Sequence, residues 1–466
     1  MNNNYYFSVN KKKWSIKAIE ERKVNKLIQD LQISDFLARL ICSRNIDLDK
    51  AEGYINPTLR KELPSPLLLK DMKLAVDRIS HAFIKNEKIA IFGDYDVDGA
   101  TSSAVLYKAF KLFGNEPIIY IPDRIKEGYG PNIDALKALK DQGVDLVITV
   151  DCGMTAFKEL DYAKDISLDV IVVDHHAPEA KLPSAIAVIN PNRIDDNTGL
   201  GMLAAVGVSF MLVGALKSQL VEINFINENN IPSLSFLLDL VALGTICDVV
   251  PLVGANRALV KQGLRVMSKR QNNGINALFE VSEIEDIPSV FHAGFLLGPR
   301  INAGGRVGES SLGAKLLTTD NKSKAKEISY HLNGLNEERK ELEAEVLDQA
   351  KNLALDHESN EILVLSSKNW HPGVIGIVAS RIVELYNKPT IIISENGLNS
   401  KGSGRSIGGK DIGRLITAAK QSNVIINGGG HPMACGLTMD EVKVNDLRKF
   451  LNKNNKSEFE DNKTIY

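Results

Sequence analysis

Three aspartates, Asp94, Asp96 and Asp98, alternate directly after a short apolar run at residues 89–92. The apolar run predicts a buried strand, and the apolar periodicity of residues 101–113 predicts a helix after the acidic turn. Parallel α/β sheets build their sites from such units, at the carboxyl ends of the strands. Three carboxylates this close repel one another unless a cation lies between them. Because Mg²⁺ and Mn²⁺ prefer carboxylate oxygens, the stretch indicates a divalent-cation site.

Two other interpretations of the acidic stretch must be weighed. An Asp-rich turn before a helix often only caps that helix and complements its dipole. An EF-hand loop also has alternating acids, but here no Glu stands at the twelfth position and the preceding segment is a predicted strand. The EF-hand is therefore excluded, and the rest of the chain must decide between a cap and a metal site.

Composition sets the class of protein. A chain of 466 residues predicts two to three domains, and a hydrophobic content of 44% is typical of a globular protein. The net charge of −2 means that any nucleic-acid binding needs a local basic groove. The polar N-terminus and the absence of an apolar run of about 20 residues predict no signal peptide and no membrane segment. Four scattered cysteines without CxxC spacing predict a reducing, cytoplasmic setting.

From residue 88 onward, apolar strands alternate with helical segments. The predicted strands are residues 89–92, 118–121, 146–150 and 170–173. This alternation predicts an α/β fold with a doubly wound parallel sheet. A charged, Leu- and Ala-rich run then predicts a long helix. A second, smaller α/β domain is expected after it, with Gly-rich turns at residues 401–405 and 428–431.

Polar side chains follow the predicted apolar elements one after another. Asp151 follows the third strand, Asp174, His175 and His176 follow the fourth, and Asp248 ends a later apolar run. A lone buried Asp or His is most often structural. Here four apolar elements in succession end in polar side chains. Each polar group would cost roughly 2–7 kcal/mol if it were buried without a partner. Two metal ions that share a carboxylate would compensate for this, and they form the clamp used for in-line displacement at phosphorus.

At this point the motifs resemble a known family. FGDYDVDG, VDCG, DHH and ALGTICDVVPL resemble the four motifs of the DHH phosphoesterase superfamily. Within it, several further runs resemble the RecJ-like single-stranded-DNA-specific exonucleases: PDRIKEGYGPN, NPNR, LGPRINAGGRVG, HPGVIGIVASRI, GSGRS and GGGHPMACG. The last two resemble the DHH-associated domain. The resemblance covers about residues 10–440 in the order that the family has.

The resemblance implies a metal centre with two Mn²⁺ or Mg²⁺ ions. The positions that match the family's metal ligands are Asp96, Asp98, Asp151, His175 and Asp248, with Asp151 at the bridging position. Related phosphatases have a His where this chain has Phe92, so Asp94 is expected to complete the first metal shell. Asp174 is expected to orient His175. His176 is expected to contact the scissile phosphate or assist proton transfer.

The resemblance also suggests residues that bind the substrate. Arg300, Asn302 and Arg306 lie in a Gly-rich segment, and Arg suits bidentate phosphate contacts. Arg124 and Tyr129 could meet the strand, with Tyr129 offering a stacking face for a base. The alternative for any single surface arginine is a solvated salt bridge.

Three more candidates lie near the C-terminus. Ser403 and Arg405 belong to a GSGRS run, interpreted as a turn whose N–H groups could approach an anion, and His431 follows three glycines. The resemblance implies five parts: an N-terminal helical cap (1–85), a DHH catalytic domain (86–319), a connecting helix (320–356), a DHH-associated substrate-binding domain (357–440), and a C-terminal helix with a polar tail (441–466).

The resemblance implies a cytoplasmic, monomeric 5′→3′ exonuclease that converts single-stranded DNA to 5′-mononucleotides in DNA repair and recombination. A single-strand-binding protein is a candidate partner, because the chain is expected to lack the OB-fold into which typical relatives continue. The alternatives are a short-oligonucleotide or cyclic-dinucleotide phosphodiesterase, an inorganic pyrophosphatase, and a non-catalytic nucleic-acid-binding scaffold. The pyrophosphatase is disfavoured because its Lys/Arg-rich loop is missing, and the scaffold because all the carboxylates are present.

Overall fold

The computed structural model describes residues 5–9, 13–15, 17–124, 126–357 and 359–454. These residues divide into two compact units. The first lies within residues 21–336, and the second combines residues 1–20 with residues 337–466. Each unit has a five-stranded sheet of its own.

Short elements come before the first sheet. They are β1 (Tyr5–Phe7), β2 (Lys13–Ser15), α1 (Glu21–Leu31), α2 (Asp35–Ser43), α3 (Ala51–Ile55), α4 (Leu59–Glu62) and α5 (Met72–Lys85). β1 and β2 pair in antiparallel orientation, where the sequence pattern had suggested helix. Strands of three residues are too short for a period of two to be visible in the sequence.

The sheet of the first unit is parallel throughout. Its strands are β3 (Ile89–Gly93), β4 (Ile118–Tyr120), β5 (Leu146–Val150), β6 (Asp169–Val173) and β7 (Ala187–Ile189). They lie in the order β4-β3-β5-β6-β7. The doubly wound sheet is therefore confirmed, with β7 as a strand that was not predicted. The connections leave β3 in opposite directions, which makes the β3–β5 junction the topological switch point where such folds bind ligands.

Helices cover both faces of this sheet. They are α6 (Val97–Phe113), α7 (Ile133–Asp141), α8 (Phe157–Asp165), α9 (Ala205–Glu222), α10 (Leu238–Cys247), α11 (Gly254–Met267), α12 (Asn273–Val281), α13 (Gly298–Val307) and α14 (Leu312–Thr318). Ile89 and Ile91 of β3 join the core formed with α5, α6 and α9. Ala90 and Phe92 join the core formed with α7 and α8. Burial on both faces explains why the strands are continuously apolar.

Helix α9 is the one helix in the described ranges that is long and apolar enough to cross a membrane, with a mean hydropathy of 1.3. It contacts α5, α6 and α10, and 61% of its apolar window is buried inside the protein. Core helices of soluble proteins pass the same test, so this is weak evidence for a membrane span.

Helix α15 (Lys322–Leu355) is a single helix of 34 residues, where a long helix was predicted. The second unit then contains β8 (Leu363–Ser367), α16 (Ile375–Tyr386), β9 (Thr390–Ser394), β10 (Ser400–Arg405), α17 (Ile412–Gln421), β11 (Asn427–His431), β12 (Ala434–Met439) and α18 (Val444–Asn454). Its strand order is β11-β12-β10-β9-β8, and only the β8–β9 pair is parallel. The polar tail predicted at the C-terminus, residues 455–466, lies outside the described residues.

The two Gly-rich stretches that were interpreted as turns are in fact strands β10 and β11. Their glycines allow close packing within the sheet. A Cβ at Gly404 would lie 2.4 Å from the Sγ of Cys435, and one at Gly430 would lie 2.2 Å from the carbonyl oxygen of Ala434. Glycine in a strand often marks such a close approach.

Candidate metal centre and active site

The acidic residues collect at the carboxyl edge of the first sheet. Asp94 directly follows β3, Asp151 follows β5, and Asp174 follows β6. Because these three strands are neighbours, their ends meet at the switch point. Asp248 comes from a helix rather than a strand, since it caps the C-terminus of α10.

Helix α6 begins at Val97, four positions before the predicted start, so Asp98 lies in its first turn. Asp96 is the N-cap, and its Oδ1 accepts a hydrogen bond of 3.1 Å from the N–H of Gly99. A Cβ at Gly99 would lie 2.5 Å from the carbonyl oxygen of Asp94, so only glycine allows this tight entry. The helix-cap interpretation therefore holds for Asp96, alongside any metal role.

Asp98 is held by the beginning of another helix. Its two carboxylate oxygens accept hydrogen bonds from the N–H groups of Ala205 (2.7 Å) and Val206 (2.9 Å), the first residues of α9. The positive end of that helix dipole favours a carboxylate here. The orientation of Asp98 is thus fixed before any ligand binds.

Asp174 orients the histidine pair, but in a different way from the one expected. Its Oδ1 accepts hydrogen bonds from the backbone N–H groups of His175 (2.7 Å) and His176 (3.1 Å). The same oxygen bonds Nδ1 of the His176 ring at 2.7 Å. Asp174 therefore contacts His175 through the backbone N–H of that residue, and the ring that Asp174 holds is that of His176.

The ring of His175 instead points into the carboxylate cluster. Its Nε2 lies 3.4 Å from Oδ1 of Asp151, 3.6 Å from Oδ2 of Asp248 and 3.8 Å from Oδ2 of Asp98. Three groups of possible metal ligands have all their ligand atoms within 4.8 Å of one another: Asp94 with Asp96 and Asp151, Asp98 with His175 and Asp248, and Asp151 with His175 and His176. Asp151 belongs to two of them, as a bridging carboxylate would.

Burial and mutual repulsion disfavour charge on this cluster. Burial raises the pKa of Asp94, Asp98 and Asp151 well above its usual range, and neighbouring carboxylates raise it further. Burial, with the charge of Asp96, raises the pKa of Asp248 to about 7. Burial, with the nearby ring of His176, lowers the pKa of His175 to about 4. Without a cation, the site cannot hold all of its carboxylates ionised.

His176 differs from His175 in its electrostatics. Burial lowers the pKa of His176, but the hydrogen bond and the charge of Asp174 outweigh burial and raise that pKa to about 9. The side chain of His176 is 49% exposed, whereas that of His175 is 12% exposed. One imidazole therefore faces the cluster in its neutral form, and the other faces solvent beside it.

Four buried polar atoms of the cluster have no hydrogen-bond partner among the residues that the structure describes. They are Oδ1 of Asp94, Oδ1 of Asp151, Nε2 of His175 and Oδ2 of Asp248. Orphaned buried polar atoms are rare in folded proteins and call for an explanation such as an ion. Carboxylate oxygens with one neutral imidazole suit Mn²⁺ or Mg²⁺, so the residues fit such ions.

The backbone is strained at two positions of this edge. Asp151 has φ 60°, and Val249, directly after Asp248, has φ 63°. A left-handed conformation is unusual for a β-branched residue. Such strain, of order 1–3 kcal/mol per residue, clusters at functional sites.

Tyr129 and Arg124 lie beside the cluster. The hydroxyl of Tyr129 donates a hydrogen bond of 2.8 Å to the carbonyl oxygen of Asp151, while the residue as a whole is 54% exposed. The guanidinium of Arg124 stacks on the ring of Tyr95, 4.6 Å from its centroid. Its charge favours ionisation of Asp94 and so acts to lower the pKa of that carboxyl.

Arg300, Asn302 and Arg306 all lie on α13, which follows a π-helical turn at His292–Leu297. The Oδ1 of Asn302 accepts a hydrogen bond of 3.1 Å from the N–H of Val97, the first residue of α6. Arg300 donates to the carbonyl oxygen of Leu296 at 2.7 Å. Asn302 therefore stabilises the end of the acidic turn, where α6 begins.

The remaining candidates belong to the second unit. Arg405 and His431 both pair with Ala434 of β12, so the three side chains form a row across neighbouring strands. Ser403 pairs with Gly436 two positions away and therefore shares their face. Nη1 of Arg405 donates to the Oγ of Ser403 at 3.3 Å. The candidates thus share a strand surface rather than the anion-binding turn that was expected.

Two residues were missed as site residues, although the NPNR run was noted. Asn190 and Asn192 donate hydrogen bonds to the carbonyl oxygens of His176 (2.8 Å) and His175 (2.6 Å). Asn190 directly follows β7, a strand that was not predicted. Recognising β7 would have placed this run beside the end of β6.

Comparisons with known proteins agree with this geometry. A model of the DHH family, N-terminal domain, matches residues 88–245, and a model of the DHHA1 domain matches residues 359–457. The single-stranded-DNA-specific exonuclease RecJ of Haemophilus influenzae is 38% identical over 428 residues, which are 89% of this chain and 74% of that protein. The RecJ of Bacillus subtilis is 35% identical over 95% of this chain and 55% of its own length.

A solved structure gives the same result. The crystal structure of RecJ from Thermus thermophilus in complex with Mn²⁺ has a TM-score of 0.81 and 29% identity, and the match covers 94% of this chain and 61% of that one. The chain belongs to the RecJ family of single-stranded-DNA-specific exonucleases. It spans little more than half the length of some of these relatives.

Proposed function

We propose that this protein is a two-metal 5′→3′ exonuclease that hydrolyses single-stranded DNA to 5′-mononucleotides in DNA repair and recombination. The observation that carries the proposal is the convergence of four orphaned buried atoms, from four elements, at the switch point of the sheet. The relatives support it, because they are named single-stranded-DNA-specific exonucleases, and one was crystallised with Mn²⁺ and also with Mg²⁺.

In this proposal, two ligand sets hold the ions. Asp94 and Asp96 would serve one ion, Asp98, His175 and Asp248 the other, and Asp151 would bridge them. Bound there, two divalent cations would acidify an attacking water and offset the charge that develops on phosphorus. The protein contributes a prearranged ligand cage, because α9 holds Asp98 and the N-cap geometry holds Asp96.

His176 would act on the substrate directly. The hydrogen bond between Asp174 and Nδ1 fixes the ring and leaves Nε2 for the scissile phosphate. A charged or proton-donating Nε2 stabilises negative charge on a phosphate oxygen and can protonate the leaving oxygen. Tyr129, whose hydroxyl is tied to the backbone of Asp151, would stack a base beside the reacting phosphate.

The second unit would bind the nucleic-acid backbone. Arg405 and His431 offer donors for phosphate, and Ser403 lies on the same face. No described atom lies within 4 Å of a Cβ built on Gly429 or Gly436, so the strand surface in register with Ser403 is open at these two positions. In this proposal, residues 86–319 form the catalytic domain and residues 357–440 the substrate-binding domain.

The proposal also covers the location, the oligomeric state and the partner of the enzyme. The enzyme would be cytoplasmic, which agrees with four free cysteines. It would act as a monomer. A single-strand-binding protein would present the substrate.

The test is a Mn²⁺-dependent digestion of a long single strand labelled at either end, with Asp151→Ala as control and a dinucleotide in parallel. Early release of the 5′ label as a mononucleotide, lost in the variant, is expected. Cleavage of the dinucleotide alone would instead indicate a short-oligonucleotide phosphodiesterase. DNA binding without any cleavage would indicate a scaffold and would overturn the proposal.

A further inference from the structure

The Asn190–Arg193 run lies against the two active-site histidines, and none of the catalytic roles described above accounts for it. The peptide between His175 and His176 is held at both ends. Its N–H donates to Oδ1 of Asp174 (3.1 Å), and its carbonyl oxygen accepts from Nδ2 of Asn192 (2.6 Å). The next carbonyl, that of His176, accepts from Nδ2 of Asn190 (2.8 Å).

Side chains therefore hold both histidines by the backbone. The N–H groups of His175 and His176 bond to Asp174, and their carbonyl oxygens bond to the two asparagines. Rotation of the central peptide would change ψ of His175 and φ of His176 together. Both imidazoles would then move, one away from the carboxylate cluster and the other away from Asp174.

The two asparagines are themselves anchored. The Oδ1 of Asn190 accepts the N–H of Asn192 at 2.8 Å, and the N–H of Arg193 donates to the carbonyl oxygen of Asn190 at 3.2 Å, which closes the turn. Asn190 is 1% exposed. The turn is thus a rigid continuation of β7.

Arg193 fastens the turn to the body of the unit. It is 7% exposed, and its Nη1 donates to Oδ2 of Asp71 and to the carbonyl oxygen of Val188, both at 2.6 Å. Its Nε and Nη2 form a bidentate pair with Asp195 at 2.9 and 2.8 Å. Bidentate pairing fixes direction as well as distance.

We propose that Asn190 and Asn192 are positioning residues that set His175 for metal binding and His176 for the substrate, with Arg193 anchoring them. They act through the backbone of the histidines rather than through the imidazole rings. The proposal rests on the metal centre proposed above. Loss of outer partners of a metal ligand typically weakens metal affinity 10- to 100-fold.

The test measures Mn²⁺ affinity from the electron paramagnetic resonance signal of free Mn²⁺, without DNA. Asn192→Ala is expected to weaken the site that uses His175 about tenfold. Asn197→Ala, an exposed asparagine of the same loop, serves as the matched control and should bind Mn²⁺ like the parent. In steady-state digestion, Asn192→Ala should lower kcat while KM for DNA stays unchanged.

A double-mutant cycle separates positioning from general stability. In a His175→Ala background, Asn192→Ala should cause no further loss of Mn²⁺ affinity, because the ligand that it positions is gone. Equal losses in both backgrounds, or parent-like affinity of the single variant, would overturn the proposal. The measurement is repeated with Asn192→Ser, which keeps a polar side chain at this exposed position. The test of the proposal therefore does not depend on the folding of the alanine variant alone. A parent that binds no Mn²⁺ would overturn the metal centre as well.

Discussion

The Nε2 atom of His175 lies 3.4 Å from Oδ1 of Asp151, and neither atom makes a hydrogen bond with the described residues. Two buried polar atoms that face each other without a shared proton destabilise the fold. The edge of the sheet is therefore built for binding at the expense of stability, a common trade-off at active sites.

Asp151→Asn should abolish Mn²⁺-dependent activity and stabilise the metal-free protein by about 1–2 kcal/mol. The change removes one of several buried carboxylates that repel one another, and it also removes the expected bridging ligand. Urea unfolding with and without Mn²⁺ measures both effects, because Mn²⁺ should stabilise the parent much more than the variant. Asp348→Asn, at an exposed position of α15, is the control and should change neither quantity.

Stability without metal should fall as the pH rises from about 5 to 8. The pKa of Asp248 is raised to about 7, and the pKa values of Asp94, Asp98 and Asp151 are raised as well. Their contribution is fully present below the ordinary carboxyl pKa and is lost as the pH rises through the folded value. His175, with its pKa lowered to about 4, acts in the opposite direction but is a single group.

The same groups predict that Mn²⁺ binding releases protons. Calorimetry near pH 6 in two buffers of different ionisation enthalpy should show proton release, and the affinity for Mn²⁺ should increase toward about pH 8. At saturating Mn²⁺, the fall in stability with rising pH should disappear. An affinity that does not change over this range would contradict the assigned ligands.

Gly244→Ala should destabilise the protein by about 1–3 kcal/mol and reduce activity. A Cβ at Gly244 would lie 2.2 Å from Oγ1 of Thr101 and 3.1 Å from Oδ1 of Asp98, so it would push against an expected metal ligand. Gly214→Ala in α9 is the matched control, because no atom of the described residues lies within 4 Å of its added Cβ. That variant should gain about 0.5–1 kcal/mol, the usual advantage of Ala in a helix. Chemical denaturation of both proteins measures the difference.

Tyr129→Leu should raise KM for single-stranded DNA about tenfold, since one base stack contributes roughly 1–3 kcal/mol. Tyr129→Phe keeps the ring and should retain the KM of the parent, although it loses the hydrogen bond to Asp151. Steady-state kinetics on one oligonucleotide compares the two variants. If both variants have the same KM, the ring has no stacking role.

The sequence was sufficient to predict the elements that carry the site. The apolar strands before Asp94, Asp151 and Asp174 are long and continuous, so their positions and their shared carboxyl edge follow from periodicity and topology. The long helix α15 was predicted because it contains no Gly or Pro after Gly334. The doubly wound class then follows from the alternation of strands and helices.

Contacts between distant segments could not be predicted. The hydrogen bonds from the start of α9 to Asp98 depend on how the helices α6, α9 and α10 pack against one another. Which imidazole ring Asp174 orients depends on the turn between residues 174 and 176. In the second unit, glycine-rich strands resemble turns in the sequence, because glycine spacing does not reveal a close approach between chains.

The order of the ligands along the chain has a consequence for protein synthesis. The expected metal ligands begin at Asp94, after β3, and end at Asp248, after α10. A nascent or truncated chain that stops before α10 contains every other ligand but lacks the residue that completes the set around His175. Because contacts this far apart in sequence form late, nuclease activity should be absent until the ribosome has released the whole sheet and its covering helices. The metal site would thus stay incomplete while the part of the chain up to Asp248 is being made.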